Sequence, residues 1–545
     1  MKWRPLSRVP EHGPQPVILV SLNLFARPIQ ARDVVFEAGP HGIEVRRPHT
    51  LVGRSHSAAP SHLGGIAAPI GHNGNTVSVN ELCYLPAHEL VRLMSSGAVS
   101  CREVTQAHLE RIEAVNPTLN ALVVAADPEQ CLRQAEYADE RVARGDPLGK
   151  AHGLPVAIKD QLLVAGLACS GGMSALRAVA DVDATAVARL RAEGAIILGL
   201  TNVPELGRGG ETNNNLYGRT NNPYDLSRTP GGSSGGSAAL VAAGGAALSV
   251  GTDEGGSIRQ PSHNTGIAGL KPSHGRIPRT GNVFGDAPGI FGPFSHYGPL
   301  ARSVPDLFLG LSIMSGPDLR DPYAVPAPLG SPDDVDLAAL RVATYLDDGI
   351  SKPTEEVAAV VSAAAAAVGE VAASVRHASP GCLGRTMELL WKSVFLGGDR
   401  GRGFEEDLKA LGVSDPSEEL AEFLTQARQV EFSLTDARTH LAELDAYRVD
   451  MLRFMADYDV IVCPAMPTPA KPHHYGLVEI NDFSHLMVHN VTRWPAAVVR
   501  CGTSSDGLPI GVQIVARPWH DVTALAVVGH LENVFGGWRP PPVWC

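Results

Sequence analysis

The sequence lacks the features that mark several common classes of protein. Its eight cysteines are scattered and form no Cys-x-x-Cys pair, so neither a zinc ribbon nor a disulfide-rich scaffold is indicated. No stretch reaches the roughly 18 consecutive apolar residues of a membrane span. A basic surplus is also missing, since the formal net charge is −12, which argues against a nucleic-acid scaffold. We therefore expect a reduced, cytoplasmic protein without membrane or direct nucleic-acid partners.

A metal centre is not indicated either. The adjacent pair His473 and His474 lies in a proline-rich stretch and lacks the i, i+4 spacing of a helical zinc site. We expect no metal and no cofactor. The 545 residues, of which 44% are hydrophobic and 19% charged, suit one large globular enzyme.

Residues 1–80 differ in composition from the rest of the chain. They contain eight basic but only four acidic residues, and no helix or strand period persists among their many histidines, prolines and glycines. We predict a poorly ordered extension there. A mis-assigned translation start and a targeting peptide are the alternative interpretations. The ordered domain is expected to span residues 81–540.

From residue 81 onward, short apolar runs alternate with helical patterns. Residues 156–158 and 195–200 predict buried strands, and residues 183–193 predict a helix. This alternation predicts the α/β class: a single large α/β/α domain with a twisted mixed central sheet covered by helices. Residues 330–455 are rich in Ala, Glu and Leu with a helical period, so we expect a helical region there.

Two glycine-flanked serine loops carry the strongest chemical signal. One loop reads Gly-Gly-Ser-Ser-Gly-Gly-Ser over residues 231–237, and the other covers residues 251–261. The alanine-rich run 238–248 predicts a buried helix, which argues against a flexible linker. Phosphate binding is disfavoured, because no lysine follows the glycines and the dinucleotide-binding pattern matches only loosely.

Ser257 is the candidate nucleophile. Successive N–H groups of Glu254, Gly255, Gly256 and Ser257 can form a nest for an oxyanion beside it. Ser257 lies outside any Gly-x-Ser-x-Gly motif, and no His–Asp motif accompanies it, so a different base is needed. Lys159 follows an apolar run that would desolvate it and lower its pKa, which makes it the candidate base. A solvated surface lysine is the alternative interpretation.

These motifs together resemble the signature of the amidase signature family. The matching stretches follow one another in the family's order and span about residues 81–540 of the chain. They are residues 155–160, 199–205, 217–223, 231–237, 255–261, 269–273 and 506–514. Because no single short motif carries the match, the resemblance is specific.

The resemblance implies a triad of Ser257 as nucleophile, Ser233 as bridging serine and Lys159 as base. It also implies a cis peptide bond between Gly232 and Ser233. The four N–H groups of residues 254–257 would hold the oxyanion, with Ser233 beside the bound substrate.

Three further side chains are expected to support the two loops. Asp253 and Arg259 would form a structural ion pair that shapes the nest, and Ser234 would form a hydrogen bond within its own loop. Substrate contacts are expected from residues 330–455, where relatives differ most. They are also expected at Gly207, where a larger residue is common and glycine indicates room near the acyl group.

Position 254 departs from the family pattern, in which Thr, Ser or Ile is usual. A Glu254 side chain that faced the pocket would favour neutral or cationic substrates. One that faced outward would contribute only its backbone N–H. Both orientations are compatible with the sequence, and neither alters the triad.

The resemblance implies hydrolysis of the C–N bond of a small or aryl carboxylic amide through an acyl-enzyme, which gives a carboxylate and an amine or ammonia. Cleavage of esters or carbamates is one alternative. Another is the A subunit of an aminoacyl-tRNA amidotransferase, whose glutamine-handling residues are not recognised in residues 380–450. An inactive binding module is disfavoured because all three triad residues are present. A monomer and a homodimer are both compatible with the sequence.

Overall fold

Buried strands that alternate with half-buried helices build a layered α/β/α fold in this computed structural model. The structure describes residues 79–286, 289–474 and 477–542. The predicted N-terminal extension therefore lies outside the described residues, except for positions 79 and 80. The fold class and the mixed central sheet agree with the prediction.

Thirteen strands occur within the described residues, eleven of them in the central sheet and two in a small ribbon, β3–β4. Their bounds are β1 Leu122–Ala125, β2 Pro155–Lys159, β3 Ala168–Cys169, β4 Ala178–Val179, β5 Ile196–Thr201, β6 Leu248–Asp253, β7 Ala268–Lys271, β8 His296–Ala301, β9 Arg341–Thr344, β10 Ser374–His377, β11 Val460–Pro464, β12 Ala496–Thr503 and β13 Pro509–Ala516.

Fourteen α-helices occur in the same part of the chain. Their bounds are α1 Val79–Leu82, α2 Ala87–Ser95, α3 Cys101–Leu119, α4 Pro128–Arg144, α5 Thr185–Ala192, α6 Gly235–Ala242, α7 Arg259–Thr265, α8 Val304–Met314, α9 Glu355–Gly369, α10 Arg402–Ala410, α11 Glu418–Ala427, α12 Leu434–Met455, α13 Ser484–Val491 and α14 Asp521–Phe535. A π-helical segment, Glu388–Phe395, precedes α10. No helix in the described ranges has the length and apolar character needed to cross a bilayer.

Helix α3 shows how the local sequence sets these elements. Ser100 accepts a hydrogen bond from the N–H of Glu103, and the Glu103 carboxylate accepts one from the N–H of Ser100. This capping box satisfies two donors that would otherwise lack partners at the start of the helix. Val104, Val115 and Leu119 then bury one face of α3. The capping box therefore sets where α3 begins, and burial of its apolar face stabilises it.

The sheet has the strand order β1-β5-β2-β6-β8-β7-β12-β13-β11-β9-β10. Strands β5, β2 and β6 run parallel, as do β11, β9 and β10, whereas the strands between these two groups pair antiparallel. Parallel neighbours place their carboxyl ends at the same edge of the sheet. The ends of β2 and β6 therefore lie side by side.

Alternation along each strand divides the core into two layers. In β2, Val156 and Ile158 pack into a large cluster with α8, α9 and α14, while Ala157 packs with α6 on the opposite face. In β12, Ala497 belongs to the first layer and Val498 to a cluster with α11 and α12. Because successive strand side chains point to opposite faces, Lys159 lies on the α6 side.

Two expectations from the sequence are wrong in detail. Residues 330–455 are not wholly helical, since they contribute β9 and β10 to the sheet. The alanine-rich run 238–248 is not one helix, because α6 ends at Ala242 and β6 begins at Leu248. Gly244, with a φ of 81°, supports the turn between them. In both places strand pairing outweighs the helix propensity of alanine.

Candidate active site

The proposed base, Lys159, is completely buried at the end of β2. Its Nζ atom donates hydrogen bonds to Ser233 Oγ and to Thr252 Oγ1, each at 2.7 Å. Burial lowers the pKa of Lys159 to about 7, and the negative charges of Glu254 and Asp253 oppose this shift only in part. A large neutral fraction of Lys159 therefore exists at physiological pH, as a general base requires.

Ser233 lies in a buried loop that several side chains hold in place. Thr212 Oγ1 donates a hydrogen bond to Gly231 O at 2.8 Å, and Gln260 Oε1 accepts one from Gly232 N at 2.9 Å. The peptide bond between Gly232 and Ser233 is cis. The loop ends at α6, so the Ser233 hydroxyl faces Lys159 from a fixed backbone.

Ser257 lies after β6, between Gly256 and Ile258, and lines a cleft. The N–H of Ser234 donates a hydrogen bond to Ser257 O at 3.2 Å and so links the two serine loops. Ser234 was expected to bond within its own loop, but its hydroxyl instead bonds to the backbone O and N of Thr252. This pair of bonds joins the loop to β6.

The backbone nest beside Ser257 has three free donors rather than the expected four. The N–H of Gly256 donates to Asp253 Oδ1 at 2.9 Å. Within the described ranges, the N–H groups of Glu254, Gly255 and Ser257 form no hydrogen bond. Gly256 has a φ of 124°, and a Cβ there would approach Leu486 to 2.5 Å. Glycine at this position is therefore required by both conformation and space.

The ion pair expected below the nest is present, with Arg259 Nη2 2.8 Å from Asp253 Oδ1 and both side chains fully buried. Burial alone would raise the pKa of Asp253, but the charge of Arg259 and its hydrogen bonds hold it well below its usual range. Arg259 also donates to Asn490 Oδ1 and Gln513 Oε1, each at 2.7 Å. These bonds join the nest to elements from the C-terminal part of the chain.

The cleft in front of Ser257 encloses about 510 Å³ of empty space, part of it open to solvent. Glycines 207, 209 and 210 and the residues Arg208, Glu254 and Gly255 line its polar side. Its other side is apolar and consists of Trp391, Phe395, Phe423, Ile480, Phe483 and Met487. Glu254 lines the cleft, and its charge raises the pKa of both Lys159 and Arg208, which favours the pocket-facing interpretation of that side chain.

Gly207 lines the cleft, and its backbone lies against Gln161. Its φ is 66°, and a Cβ there would lie 2.9 Å from Gln161 Oε1. Gln161 Oε1 accepts a hydrogen bond from Thr252 Oγ1 at 2.9 Å. The missing side chain therefore makes room for Gln161, which in turn orients the hydroxyl that contacts Lys159; the predicted room for an acyl group at Gly207 stays a prediction.

Sequence reasoning missed the roles of Thr252 and Gln161. Part of the apolar wall, Trp391, Phe395 and Phe423, lies within residues 330–455, where substrate contacts were expected, but the part from residues 480–487 was also missed. Thr252 belongs to β6, whose parallel register with β2 pairs Ile158 with Val250. This register brings the end of β6 next to Lys159, so strand adjacency was the signal that could have identified Thr252. No cluster of side chains arranged to hold a metal ion occurs in the described part of the chain.

Comparisons with known proteins agree with this architecture. A family model described as Amidase matches residues 103–525. An acylamidase from Rhodococcus erythropolis is 35% identical over 471 residues, which cover 83% of this chain and 96% of that protein. The A subunit of a glutamyl-tRNA(Gln) amidotransferase from Chloroflexus aggregans is 32% identical, covering 84% of this chain and 97% of that protein.

The structure of a 6-aminohexanoate cyclic dimer hydrolase superposes with a TM-score of 0.74 at 29% identity, covering 85% of this chain and 99% of that one. The fold and these matches define an enzyme that hydrolyses amides. Within that class, the chain belongs to the amidase signature family.

Proposed function

We propose that this enzyme hydrolyses the C–N bond of small or aryl carboxylic amides through a triad of Lys159, Ser233 and Ser257. The observation that supports this proposal most directly is the 2.7 Å contact between Lys159 Nζ and Ser233 Oγ. It joins a buried lysine with a pKa of about 7 to the loop that neighbours Ser257. A lysine with an ordinary pKa would be protonated and unable to act as a base.

The reaction follows from this arrangement. Neutral Lys159 accepts a proton from Ser233, and Ser233 accepts one from Ser257, whose oxygen attacks the amide carbonyl. The N–H groups of Glu254, Gly255 and Ser257 stabilise the oxyanion that develops. The proton then returns through the same groups to the leaving amine. Water cleaves the acyl-enzyme with the same base and releases the carboxylate.

Substrate chemistry is indicated by the walls of the cleft. Aromatic and aliphatic side chains form one side of the cleft. Burial of an aryl or alkyl group of a small amide against them removes apolar surface from water and so favours binding. Esters and carbamates fit the same reaction, because the attacked group is again a carbonyl. We propose a small-molecule substrate and a cytoplasmic location, since the seven cysteines in the described ranges are free thiols.

Glutamine hydrolysis in a tRNA amidotransferase is the competing function, because one relative is a component of that complex. The apolar wall favours the stand-alone amidase, since the ammonium and carboxylate groups of glutamine would lose hydration against it. Glutamine turnover without other amides would favour the amidotransferase instead.

The proposal is tested with Ser257→Ala and Ser233→Ala. We expect Ser257→Ala to lower turnover of a p-nitroanilide by about 10⁴-fold or more, and to prevent formation of an acyl-enzyme detectable by intact-protein mass. Ser237→Ala, at a buried serine whose hydroxyl bonds to that of Thr201 rather than to the triad, is the matched control. Undiminished turnover by Ser257→Ala would refute the assignment.

A further inference from the structure

Arg208 is a cationic side chain that lines the same cleft as Ser257. Its guanidinium carbon lies 4.5 Å from the ring centre of Phe404, 4.7 Å from that of Phe291 and 5.0 Å from that of Phe423. Aromatic rings cover the faces of a guanidinium but leave its N–H edge free. The edge of Arg208 is therefore available to a hydrogen-bond acceptor.

That edge has no partner among the described residues. Among the residues that the structure describes, the Arg208 side chain makes no hydrogen bond and no ion pair, and its Nη1 atom is buried without a partner. A buried charged donor without an acceptor is unfavourable, and native proteins seldom leave one. Burial lowers the pKa of Arg208 to about 10, so the group stays charged at neutral pH.

Glu254 provides the opposite charge in the same cleft. Its charge raises the pKa of Arg208, which places the two groups within electrostatic range of each other. They nevertheless make no ion pair with each other, and Glu254 has no other hydrogen-bond partner in the described ranges. The lining of the cleft around the nucleophile thus includes one unused donor edge and one unused acceptor within electrostatic range of each other.

This inference rests on the proposed amidase function and concerns its substrate. We infer that Arg208 and Glu254 select amides that carry a second, neutral polar group with both an acceptor and a donor, such as a carboxamide. The carbonyl oxygen of that group accepts from Arg208, and its N–H donates to Glu254. A substrate carboxylate is repelled by Glu254, a substrate ammonium is repelled by Arg208, and an alkyl end leaves both charges unpaired.

Four amides of equal chain length separate these possibilities: adipamide, hexanamide, the monoamide of adipic acid, and 6-aminohexanamide. We expect wild-type kcat/KM for adipamide, corrected for its two reacting groups, to exceed that for hexanamide by about tenfold or more. Arg208→Met retains apolar contact with the rings but removes the donor edge, and it should bring this ratio close to one. Glu254→Gln should raise the use of the adipic acid monoamide relative to adipamide.

The ratio of two substrates distinguishes binding from a structural role. If Arg208 only tied the loop to the phenylalanines, Arg208→Met would lower both rates together and leave the ratio unchanged, and this outcome would overturn the inference. A wild-type preference for hexanamide would also overturn it. Glu254→Gln preserves the shape of its side chain and gives an independent readout if Arg208→Met does not fold.

A binding measurement separates failure of this inference from failure of the amidase proposal. Calorimetry on Ser257→Ala, with and without Arg208→Met, compares adipamide with hexanamide in the absence of turnover. Weaker adipamide binding in the double variant, with hexanamide binding unaffected, supports the role of Arg208 even if no amide is hydrolysed. Equal binding of adipamide to both proteins would refute it even if the enzyme proves to be an active amidase.

Discussion

The pH dependence of turnover gives the most direct test of the buried lysine. With a pKa of about 7, Lys159 is about 1% neutral at pH 5, about 50% neutral at pH 7 and about 99% neutral at pH 9. If neutral Lys159 is the base, kcat/KM should rise about 50-fold from pH 5 to pH 7 and then only about twofold to a plateau at pH 9.

Thr252→Val tests whether the titrating group is Lys159. The Thr252 hydroxyl donates to Gln161, so its oxygen presents a lone pair to the lysine and favours the protonated form. Loss of a hydrogen bond to a charged group amounts to about 1.5–3 kcal/mol, which corresponds to a pKa lower by about 1 to 2. We expect the rising limb of the profile to move to lower pH by this amount.

The assay is initial-rate hydrolysis of an anilide from pH 5 to pH 10, with Thr252→Ser as the control that keeps the hydroxyl. Thr252→Ser should retain the wild-type profile. A Thr252→Val profile that coincides with that of the wild type, or that moves to higher pH, would refute the assignment of the titration to Lys159. Turnover that is independent of pH over the whole range would refute a lysine base altogether.

The remaining predictions concern stability and positioning. The folded-state pKa of Lys159 is below its ordinary value of 10.5, so between about pH 7 and 10.5 the unfolded chain binds a proton that the folded chain lacks. The free energy of unfolding, relative to that of Lys159→Met, should therefore rise by about 2 kcal/mol from pH 7 to 9. A calorimetric difference between the two proteins that does not change with pH would contradict this. Asp253→Asn leaves the Arg259 charge buried without its partner and should cost about 3–5 kcal/mol, seen as a lower Tm, whereas Glu129→Gln in an exposed pair should change Tm little. Gly207→Ala should lower kcat by displacing Gln161, and Gly145→Ala, with a similar positive φ but no neighbour within 4 Å, should not.

The sequence was sufficient for the parts of the fold and site that depend on local pattern. The glycine-flanked loops, the apolar strand before Lys159 and the α/β alternation are properties of short segments, and they predicted the family and the fold class correctly. The positions of Ser233 and Lys159 relative to each other came only from the resemblance, because 74 residues separate them along the chain.

What the sequence did not predict depends on contacts between distant segments. Thr252 contacts Lys159 because β2 and β6 are neighbours in the sheet, an order that no local pattern encodes. The partner of Gly256 N–H is a carboxylate three residues earlier, whose orientation is set by Arg259 and Asn490. Strand β9 is short, and its pairing with β11 outweighs the helical composition around it.

The strand order has a consequence for how such an enzyme diversifies. Strands β1, β2 and β5 to β8 occupy one half of the central sheet and β9 to β13 the other, and the two halves adjoin where β7 pairs with β12. The proposed triad comes entirely from the first half, whereas the apolar wall of the cleft comes from residues 391–487. Mutations that reshape the wall can therefore accumulate without disturbing the reacting groups. A lineage built on this plan is able to acquire new substrates while its chemistry stays constant.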